Sequence, residues 1–263
     1  MFEYRGDGVA FNLFGIDVRW YGVLIVLGMM LAVYLTSKEV ERRGMNGDLI
    51  YDLALWVLPL GVVGARLWYV LFEPQRFHSL YDVINLRSGG LAIQGGIMAG
   101  LLVVFVFVKR HELSFLRLVD CGIPFLPLAQ SIGRWGNFFN NEAYGYEANV
   151  PWAVVIDGVP HHPTFFYESM GDFLIFLFLW WFLRHRVKVD GQTTALYFIL
   201  YGVLRFFVEG FRTDSLYFGP LRVAQVLALI GLIVGVVLFI ILSRRPANAH
   251  IPGDGVSSAK RRN

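Results

Sequence analysis

Three arginines, Arg66, Arg134 and Arg205, lie inside long apolar stretches of this chain. A guanidinium at the centre of a bilayer costs about 2.5 to 3.5 kcal/mol on insertion scales, so such a residue usually faces the protein interior. The planar fork of N–H donors suits arginine to bidentate contact with phosphate in poorly hydrated surroundings. The arginines therefore indicate an anion site, although a structural ion pair explains Arg66 equally well.

A polar stripe surrounds Arg205. Its members are Tyr201, Arg205, Glu209 and Arg212, at spacings of four, four and three residues. On a helix these spacings place all four side chains within an arc of about 80°. Two guanidiniums, one carboxylate and one phenol on a single face are not a core-packing pattern. The stripe predicts a phosphate-binding face; the alternative is a purely structural Arg205–Glu209 pair.

The elements that carry these residues are predicted to be membrane helices. Of the 263 residues, 56% are hydrophobic and 16% are charged, whereas a soluble domain carries about a quarter charged residues. The apolar residues form runs of about 18 to 24, long enough to cross a bilayer. We predict an all-α polytopic membrane protein with about seven transmembrane helices. They are expected at residues 19–35, 50–72, 91–108, 116–139, 166–183, 194–211 and 223–242.

The flanking charges predict the orientation. The connections that follow the first, third, fifth and seventh predicted spans carry 14 Lys and Arg residues, against six on the opposite side. By the positive-inside rule, the N-terminus lies outside and the C-terminus is cytoplasmic. Residues 1–245 are expected to form one transmembrane catalytic domain with outward loops at about 73–90 and 140–165. The polar tail, 246–263, is expected to be a disordered cytoplasmic segment.

The predicted topology sets the depth of the polar groups. Arg205 precedes Arg212 by seven residues, which is about 10 Å along a helix. Arg134 lies near the outer end of the fourth span, while Tyr21 and Gln94 begin the first and third spans on the same side. These groups are therefore expected at the level of the outer-leaflet headgroups, where a lipid phosphate lies.

Four sequence motifs resemble the bacterial prolipoprotein diacylglyceryl transferases. The longest is Gly-Arg-Trp-Gly-Asn-Phe-Phe-Asn-Asn-Glu at residues 133–142, followed by Gly145. The others, in the family's order, are Trp-Tyr-Gly at 20–22, His-Pro-Thr at 162–164 with Tyr-Glu at 167–168, and Tyr-Gly at 201–202 with Arg205 and Glu209. The length, the seven-helix topology and the outward N-terminus also match, so the resemblance covers nearly the whole chain.

This resemblance implies a membrane-embedded transferase of the bacterial cytoplasmic (inner) membrane. Its donor would be phosphatidylglycerol and its acceptor the thiol of the lipobox cysteine in a preprolipoprotein signal peptide. The products would be a diacylglyceryl thioether and glycerol phosphate. The implied partners are these two substrates and the lipid bilayer, with no nucleic acid and no cofactor.

The resemblance and the stripe together give the candidate site residues. The candidate catalytic residues are Arg134, Arg205, Glu142 and Tyr201, and the candidate substrate-binding residues are Tyr21, Arg66, Gln94, Asn137, Asn140, Gly145, Glu209 and Arg212. Gln94 is a departure, because many family members have a histidine there, and glutamine cannot take up a proton at neutral pH. Either the base lies elsewhere in this protein or that histidine is not the family's proton acceptor. Glu142 is the first candidate for accepting the thiol proton.

Other readings of the sequence are less well supported. His161 and His162 are adjacent and lack nearby cysteine or carboxylate partners, so no metal site is indicated. The single cysteine, Cys121, lies in an apolar stretch and is expected to be a small buried hydrophobe.

An outer-leaflet lipid transporter or binding protein would share the arginine stripe. A transport path needs polar residues toward the cytoplasmic side, where stretches such as 101–108 are purely apolar. A purely structural scaffold protein would not explain why arginines lie in apolar stretches, where each one raises the free energy of membrane insertion.

Overall fold

The framework of the protein is helical. The computed structural model describes residues 1–3, 6–86 and 89–246. Its helices are α1 (Trp20–Arg42), α2 (Asp48–Phe72), α3 (Leu80–Ile84), α4 (Ile93–Arg110), α5 (Phe115–Gly122), α6 (Phe125–Phe139), α7 (Thr164–Leu177), α8 (Gln192–Glu209) and α9 (Val223–Ser243). A short 3-10 turn spans Pro74–Arg76, and a π-helical turn at Phe178–Phe182 continues α7.

The described helices confirm a polytopic membrane protein. Five are long and apolar enough to cross a bilayer: α1, α2, α4, α9 and α7 with its π-helical turn. The pair α5 and α6 makes a sixth if it is one bent span. Helix α8 occupies the position of the remaining predicted span and carries the polar stripe. The count of seven, the orientation and the single-domain assignment stay predictions, and the predicted tail lies outside the described residues except for Pro246.

Two helix boundaries differ from the sequence prediction for identifiable reasons. Helix α1 extends seven residues past the predicted end at residue 35, because Glu39 neutralises the basic residues there. Its carboxylate bonds Arg42 at 2.5 Å and Arg43 at 3.0 Å, the favourable spacing for ion pairs on a helix surface. The fourth predicted span is broken between α5 and α6 by 41°, where Pro124 disfavours helical geometry in the residue before it.

The all-α expectation is wrong for the segments between the helices, which contain short strands. These are β1 (Phe2–Glu3), β2 (Val9–Leu13), β3 (Ile16–Arg19), β4 (Val154–Ile156), β5 (Val159–His161), β6 (Tyr217–Phe218) and β7 (Leu221–Arg222). The sheet β1-β4-β5 ties the N-terminal residues to the 140–163 segment, with β1 parallel to β4 and β5 antiparallel to it. Asp157 and Gly158 turn the β4–β5 hairpin with positive φ angles of 50° and 82°, as a two-residue turn of this kind requires. Strands of two to five residues leave too few positions for a visible alternation pattern.

The described residues group into two compact units. The first comprises Met1–Thr36 and the described part of Val119–Ile251, and the second comprises Ser37–Leu118. In the first unit, α6 packs on α7, α7 on α8, and α8 on α9. In the second unit, α2 packs on α4.

A buried carboxylate fixes the start of α8 in the first unit. Asp120 is 1% exposed and accepts the backbone N–H of Gly191 at 2.6 Å and of Thr194 at 2.9 Å. The Thr194 hydroxyl bonds the same carboxylate at 2.5 Å. Asp120 therefore caps the unpaired N–H groups of a helix to which it does not belong. Its negative charge also interacts favourably with the positive N-terminal end of the helix dipole.

Glycines allow α2 and α4 to pack closely in the second unit. A Cβ on Gly64 would lie 2.6 Å from the carbonyl oxygen of Gly95. At Gly61, one turn earlier, a Cβ would meet only the carbonyl oxygen of Gly96, at 3.8 Å. Small residues at a helix interface permit this approach between membrane helices, and Gly64 is the position where it is closest along this face of α2.

We expect Gly64→Ala to destabilise the protein and Gly61→Ala to leave it unchanged or slightly more stable. The first substitution overpacks a backbone contact, at a cost of about 1 to 3 kcal/mol. The second adds a better helix former without a clash, a gain of up to about 1 kcal/mol. Thermal unfolding of the purified protein in detergent measures both. Equal melting temperatures for the two variants would contradict the close contact.

Candidate functional site

The centre of the site is a carboxylate shared by two arginines from different helices. Glu168, on α7, is 1% exposed. Its Oε1 forms an ion pair with Nη2 of Arg134 on α6, and its Oε2 lies 2.7 Å from Nη1 of Arg205 on α8. The three helices are thus joined by one buried carboxylate. Because breaking such a buried pair from one side costs about 3 to 5 kcal/mol, Glu168 holds both guanidiniums in place.

Arg205 has a second carboxylate partner on its own helix. Oε2 of Glu209 lies 2.8 Å from Nη2 of Arg205, and Oε1 of Glu209 accepts a hydrogen bond from the Ser215 hydroxyl at 2.6 Å. The Arg205–Glu209 pair considered from the sequence is therefore present. This pair uses only Nη2 of Arg205, and Nη1 of the same guanidinium binds Glu168.

Arg212 lies outside the helical stripe expected from the sequence. Helix α8 ends at Glu209, and Gly210 follows as its C-cap. Arg212 still approaches Glu209 at 4.0 Å, but its fork binds Asp214 through Nε at 3.0 Å and Nη2 at 2.8 Å. This bidentate hydrogen bond holds the pKa of Asp214 below its usual range. Arg212 is thus held at the rim of the cluster by the loop after α8.

Tyr201 extends the cluster along α8. Its hydroxyl lies 3.5 Å from Oε1 of Glu168, and its ring stacks on Tyr197 with centroids 5.5 Å apart. The Tyr197 hydroxyl in turn donates to Oε1 of Gln130 on α6 at 3.0 Å. Tyr201 and Arg205 of the stripe therefore face Glu168, and Tyr197, one turn before Tyr201, links α8 to α6.

The electrostatic balance of this cluster decides what it can bind. Arg134 and Arg205 supply two positive charges, and Glu168 and Glu209 supply two negative ones. At the rim, the charge of Arg212 is matched by that of Asp214. A phosphate carries the same forked arrangement of oxygens as a carboxylate and competes for the same guanidinium donors. The guanidiniums of the cluster are therefore donors of the kind that binds phosphate.

The loop after α6 is organised by Glu142. Its Oε1 accepts from the amide groups of Asn137 at 3.0 Å and Asn140 at 3.2 Å, and its backbone N–H bonds the carbonyl of Asn137 at 3.0 Å. Asn141 and Ala143 adopt positive φ angles of 52° and 58°. Glu142 itself is exposed. Three candidate residues are thus brought together, with the carboxylate directed to two side-chain amides.

Gly145 is required for packing. A Cβ at this position would lie 2.7 Å from the carbonyl oxygen of Phe211 and 2.8 Å from Cβ of His162. The Gly145 N–H bonds the carbonyl of His162 at 2.9 Å, and its carbonyl oxygen lies 2.9 Å from Nδ1 of His161. The loop can approach α7 and the end of α8 only because no side chain is present here.

Tyr21 packs directly on α6, the helix that carries most of the motif at residues 133–142. A Cβ on Gly136 would lie 2.5 Å from Cδ2 and 3.1 Å from Cα of Tyr21. One residue earlier on α1, the ring of Trp20 stacks on Phe139 at 5.3 Å. Gly136 therefore gives the first turn of α1 its close position against α6.

Arg66 belongs to the second unit, where backbone carbonyls use all of its donors. Nε donates to Val83 at 2.8 Å; Nη1 donates to Gly89 at 2.5 Å and Gly90 at 2.8 Å; Nη2 donates to Asp82 at 2.6 Å and Asn85 at 3.0 Å. A guanidinium has five N–H donors, so none is left for a substrate. This geometry supports the structural reading of Arg66. Gln94 is exposed in the first turn of α4, in the same unit.

The sequence reasoning missed the two acids of α7. Glu168 belongs to the Tyr-Glu motif at 167–168 but is not among the site residues predicted from the sequence. Asp172 follows it by four residues, one helical turn away, and is fully buried. Two carboxyl groups on one face of an apolar helix are a signal of the same kind as the arginine stripe, and they could have been found by the same spacing argument.

These features define a class: a multi-pass membrane protein with a buried arginine–carboxylate cluster suited to an anionic headgroup. Residues 8–241 match the family described as prolipoprotein diacylglyceryl transferase. The phosphatidylglycerol–prolipoprotein diacylglyceryl transferase of Finegoldia magna is 51% identical over 233 residues, covering 88% of this chain and 94% of that protein. The enzyme of the same name from Clostridioides difficile is 45% identical over 243 residues, covering 92% and 98%. The chain belongs to the prolipoprotein diacylglyceryl transferase family.

We expect Gly136→Ala to disturb the site and Gly133→Ala, one turn earlier on α6, to be tolerated. The first Cβ collides with the ring and backbone of Tyr21, whereas the second meets only Cγ1 of Ile25 at 4.0 Å. Overpacking at the first position should cost about 1 to 3 kcal/mol. Thermal unfolding, followed by tryptophan fluorescence because Trp20 and Trp135 flank this contact, measures the difference. A Gly133→Ala variant that is as unstable as Gly136→Ala would contradict this packing.

Proposed function

We propose that this protein transfers the diacylglyceryl group of phosphatidylglycerol to the lipobox cysteine thiol of preprolipoproteins and releases glycerol phosphate. It is a transferase of the bacterial cytoplasmic membrane, with its site toward the outer leaflet. The observation that carries the proposal is the pair of guanidiniums, Arg134 and Arg205, held together on one buried carboxylate. The family membership and the names of the relatives support the reaction type.

The reaction is a displacement at a glycerol carbon with a phosphate as the leaving group. It needs a thiolate and stabilisation of the charge that develops on the phosphate. A free thiol has a pKa of about 8.5, and a neighbouring guanidinium lowers it by pairing with the thiolate. Arg134 and Arg205 are proposed to hold the phosphate and to stabilise the leaving group, the kind of electrostatic assistance that usually contributes most to such reactions.

The remaining candidates are proposed to support this pair. Tyr201 donates a hydrogen bond from its hydroxyl to the bound lipid, and Glu209 keeps Arg205 oriented. Arg212 borders the phosphate position. Asn137 and Asn140 present their amides through the loop that Glu142 organises, while Gly145 lets this loop approach.

Three further residues complete the assignment. Tyr21 is proposed to line the lipid-binding surface at the start of α1. Gln94 is proposed to contact substrate as a hydrogen-bonding group without accepting a proton. Arg66 is proposed to hold the loop after α2, because its five donors are bound to the backbone.

A lipid transporter or binding protein is the rival function, and product chemistry separates the two. A transporter leaves phosphatidylglycerol intact, whereas the transferase cleaves it. Purified protein is incubated in detergent with phosphatidylglycerol and a lipobox peptide, and the peptide mass and glycerol phosphate release are measured together.

We expect the wild type to add a diacylglyceryl mass to the peptide and Arg134→Ala to reduce this rate by about 100-fold or more, since it removes a charge that stabilises the leaving phosphate. Arg76→Ala is the matched control, because that side chain is 65% exposed in a surface pair with Glu73. Its rate should stay within about twofold of the wild type. A Cys→Ser peptide should gain no mass. Lipid binding without any mass shift in the wild type would favour the transporter.

The sequence-based prediction that Glu142 accepts the thiol proton has its own test. Glu142→Gln keeps an oxygen that can accept from Asn137 and Asn140 but cannot take up a proton at neutral pH. If Glu142 is the base, the rate should fall by about 100-fold or more. Full transfer activity in this variant would remove Glu142 from the proton path.

A further inference from the structure

We propose that the hairpin of β2 and β3 lies along the surface of the lipid bilayer, beside the point where α1 enters it. Phe14, at the tip, and the apolar side of the hairpin are directed into the boundary between the headgroups and the acyl chains. The inference concerns how the N-terminal residues meet the lipid. It goes beyond the proposed reaction and does not depend on it.

The hairpin has one apolar face and one polar face. Side chains alternate between the two faces of a strand, so partners on paired strands share a face. The apolar face consists of two cross-strand pairs, Phe11 with Val18 and Leu13 with Ile16. The pair between them, Asn12 and Asp17, lies on the opposite face, where Nδ2 of Asn12 donates to Oδ1 of Asp17 at 2.7 Å. The hairpin is therefore amphipathic.

The apolar face is open to its surroundings. Phe11, Leu13 and Ile16 are each more than half exposed. A two-stranded hairpin is at best marginally stable in water unless a further layer packs on its apolar face. Since the face stays exposed within the described part of the chain, we infer that the covering layer is the bilayer.

The turn of the hairpin carries a residue that turn geometry does not explain. Phe14 and Gly15 adopt positive φ angles of 51° and 82°, almost the same as the 50° and 82° of Asp157 and Gly158 in the β4–β5 hairpin. Asn, Asp or Gly is the usual first residue of such a turn, and a positive φ is unfavourable for a bulky side chain. Phe14 is nevertheless present, and it is 97% exposed. An aromatic ring at this position is suited to contact with lipid.

The hairpin is continuous with a helix that faces lipid. Strand β3 ends at Arg19, and α1, which is long and apolar enough to cross a bilayer, begins at the next residue. The other end of the hairpin is held at the same place, because the N–H of Trp20 bonds the carbonyl of Gly8 at 2.9 Å. Trp and Tyr are enriched at membrane–water interfaces, so Trp20 and Tyr21 mark the level at which α1 enters the bilayer.

The dimensions favour a hairpin that lies flat. Strand β3 has four residues, which places the turn about 13 Å from the start of α1. The headgroup region on each side of a bilayer is only about 5 to 8 Å thick. An upright hairpin would carry Phe14 through the headgroups into water. A hairpin along the surface keeps Phe14 and the apolar face at the acyl chains, where burial of apolar surface is favourable.

The first test places a nitroxide spin label on introduced cysteines of the full chain, in vesicles of phosphatidylglycerol and phosphatidylcholine. Phe14→Cys and Ile16→Cys report on the proposed lipid contact, and Asp17→Cys reports on the polar face. Asp157→Cys is the matched control, because Asp157 has the same turn position and backbone conformation as Phe14. The native Cys121 is fully buried, and the unaltered protein measures its labelling.

Collisions of each label with oxygen, which concentrates in lipid, are compared with collisions with a water-soluble nickel chelate. We expect the oxygen-to-nickel ratio to be several-fold higher at residues 14 and 16 than at residue 157, because apolar solutes leave water for an apolar medium. Equal ratios at these three positions would overturn the proposal. A ratio at residue 17 as high as that at residue 16 would contradict the flat orientation.

The second test removes the ring and keeps the turn. Phe14→Asn creates the Asn-Gly pair that this turn favours, so thermal unfolding in detergent should match the wild type or occur at a higher temperature. In vesicles, we expect the oxygen-to-nickel ratio of a label on Ile16→Cys to fall several-fold in this background. An unchanged ratio at residue 16 would overturn the assignment of Phe14 as the anchoring side chain.

The apolar part of a signal peptide is the rival occupant of this face. The bilayer is favoured because α1 holds the hairpin at the interface whether or not a substrate is present. The label on Phe14→Cys is therefore measured before and after a lipobox peptide is added. Contact with lipid before the addition would support the proposal. A label that is accessible to water in vesicles and becomes protected only with the peptide would overturn it and assign the face to the peptide.

Discussion

The bridge from Glu168 to Arg134 and Arg205 is the interaction on which the first unit of this protein depends. Charges in a bilayer are stable only when they meet partners, and each arginine comes from a helix whose other residues are mostly apolar. The shared carboxylate makes α6, α7 and α8 one electrostatic unit. The packing of Tyr201 on Tyr197, and of Tyr197 on Gln130, then follows the register that this bridge imposes.

The bridge has a counterpart in the loop that follows α6. The arginines supply charge but cannot determine which part of a lipid or peptide comes close to them. We propose that this selection depends on the loop after α6, where Glu142 accepts hydrogen bonds from two amides and Gly145 permits close approach of the backbone. The helices thus supply the charges that bind an anion, and the loop after α6 shapes the surface beside them.

Much of this arrangement was predictable from the sequence, for physical reasons. Apolar length and the spacing of Tyr201, Arg205 and Glu209 predicted membrane helices and a polar face, because both depend on local periodicity alone. Arg66 could not be assigned, since its five partners are backbone carbonyls that leave no trace in residue type. The spacing of Glu168 and Asp172 was visible in the sequence, but the partners of Glu168 were not, because contacts between helices depend on the tertiary structure. The short strands and the break at Pro124 lack the length needed for a periodic signal.

Because Asp120 fixes the start of α8, the number of residues in this helix sets the position of Arg205. Helix α8 begins at Gln192 beside a fixed carboxylate, and Arg205 lies 13 residues further along, or about 20 Å at 1.5 Å per residue. One residue inserted within this stretch would rotate the polar face by about 100° and move it by about 1.5 Å. Length in α8 is therefore as constrained as chemical identity. Insertions and deletions are expected in the loops at either end of α8. Between the cap and Arg205, only substitutions that keep the length of the helix preserve this geometry.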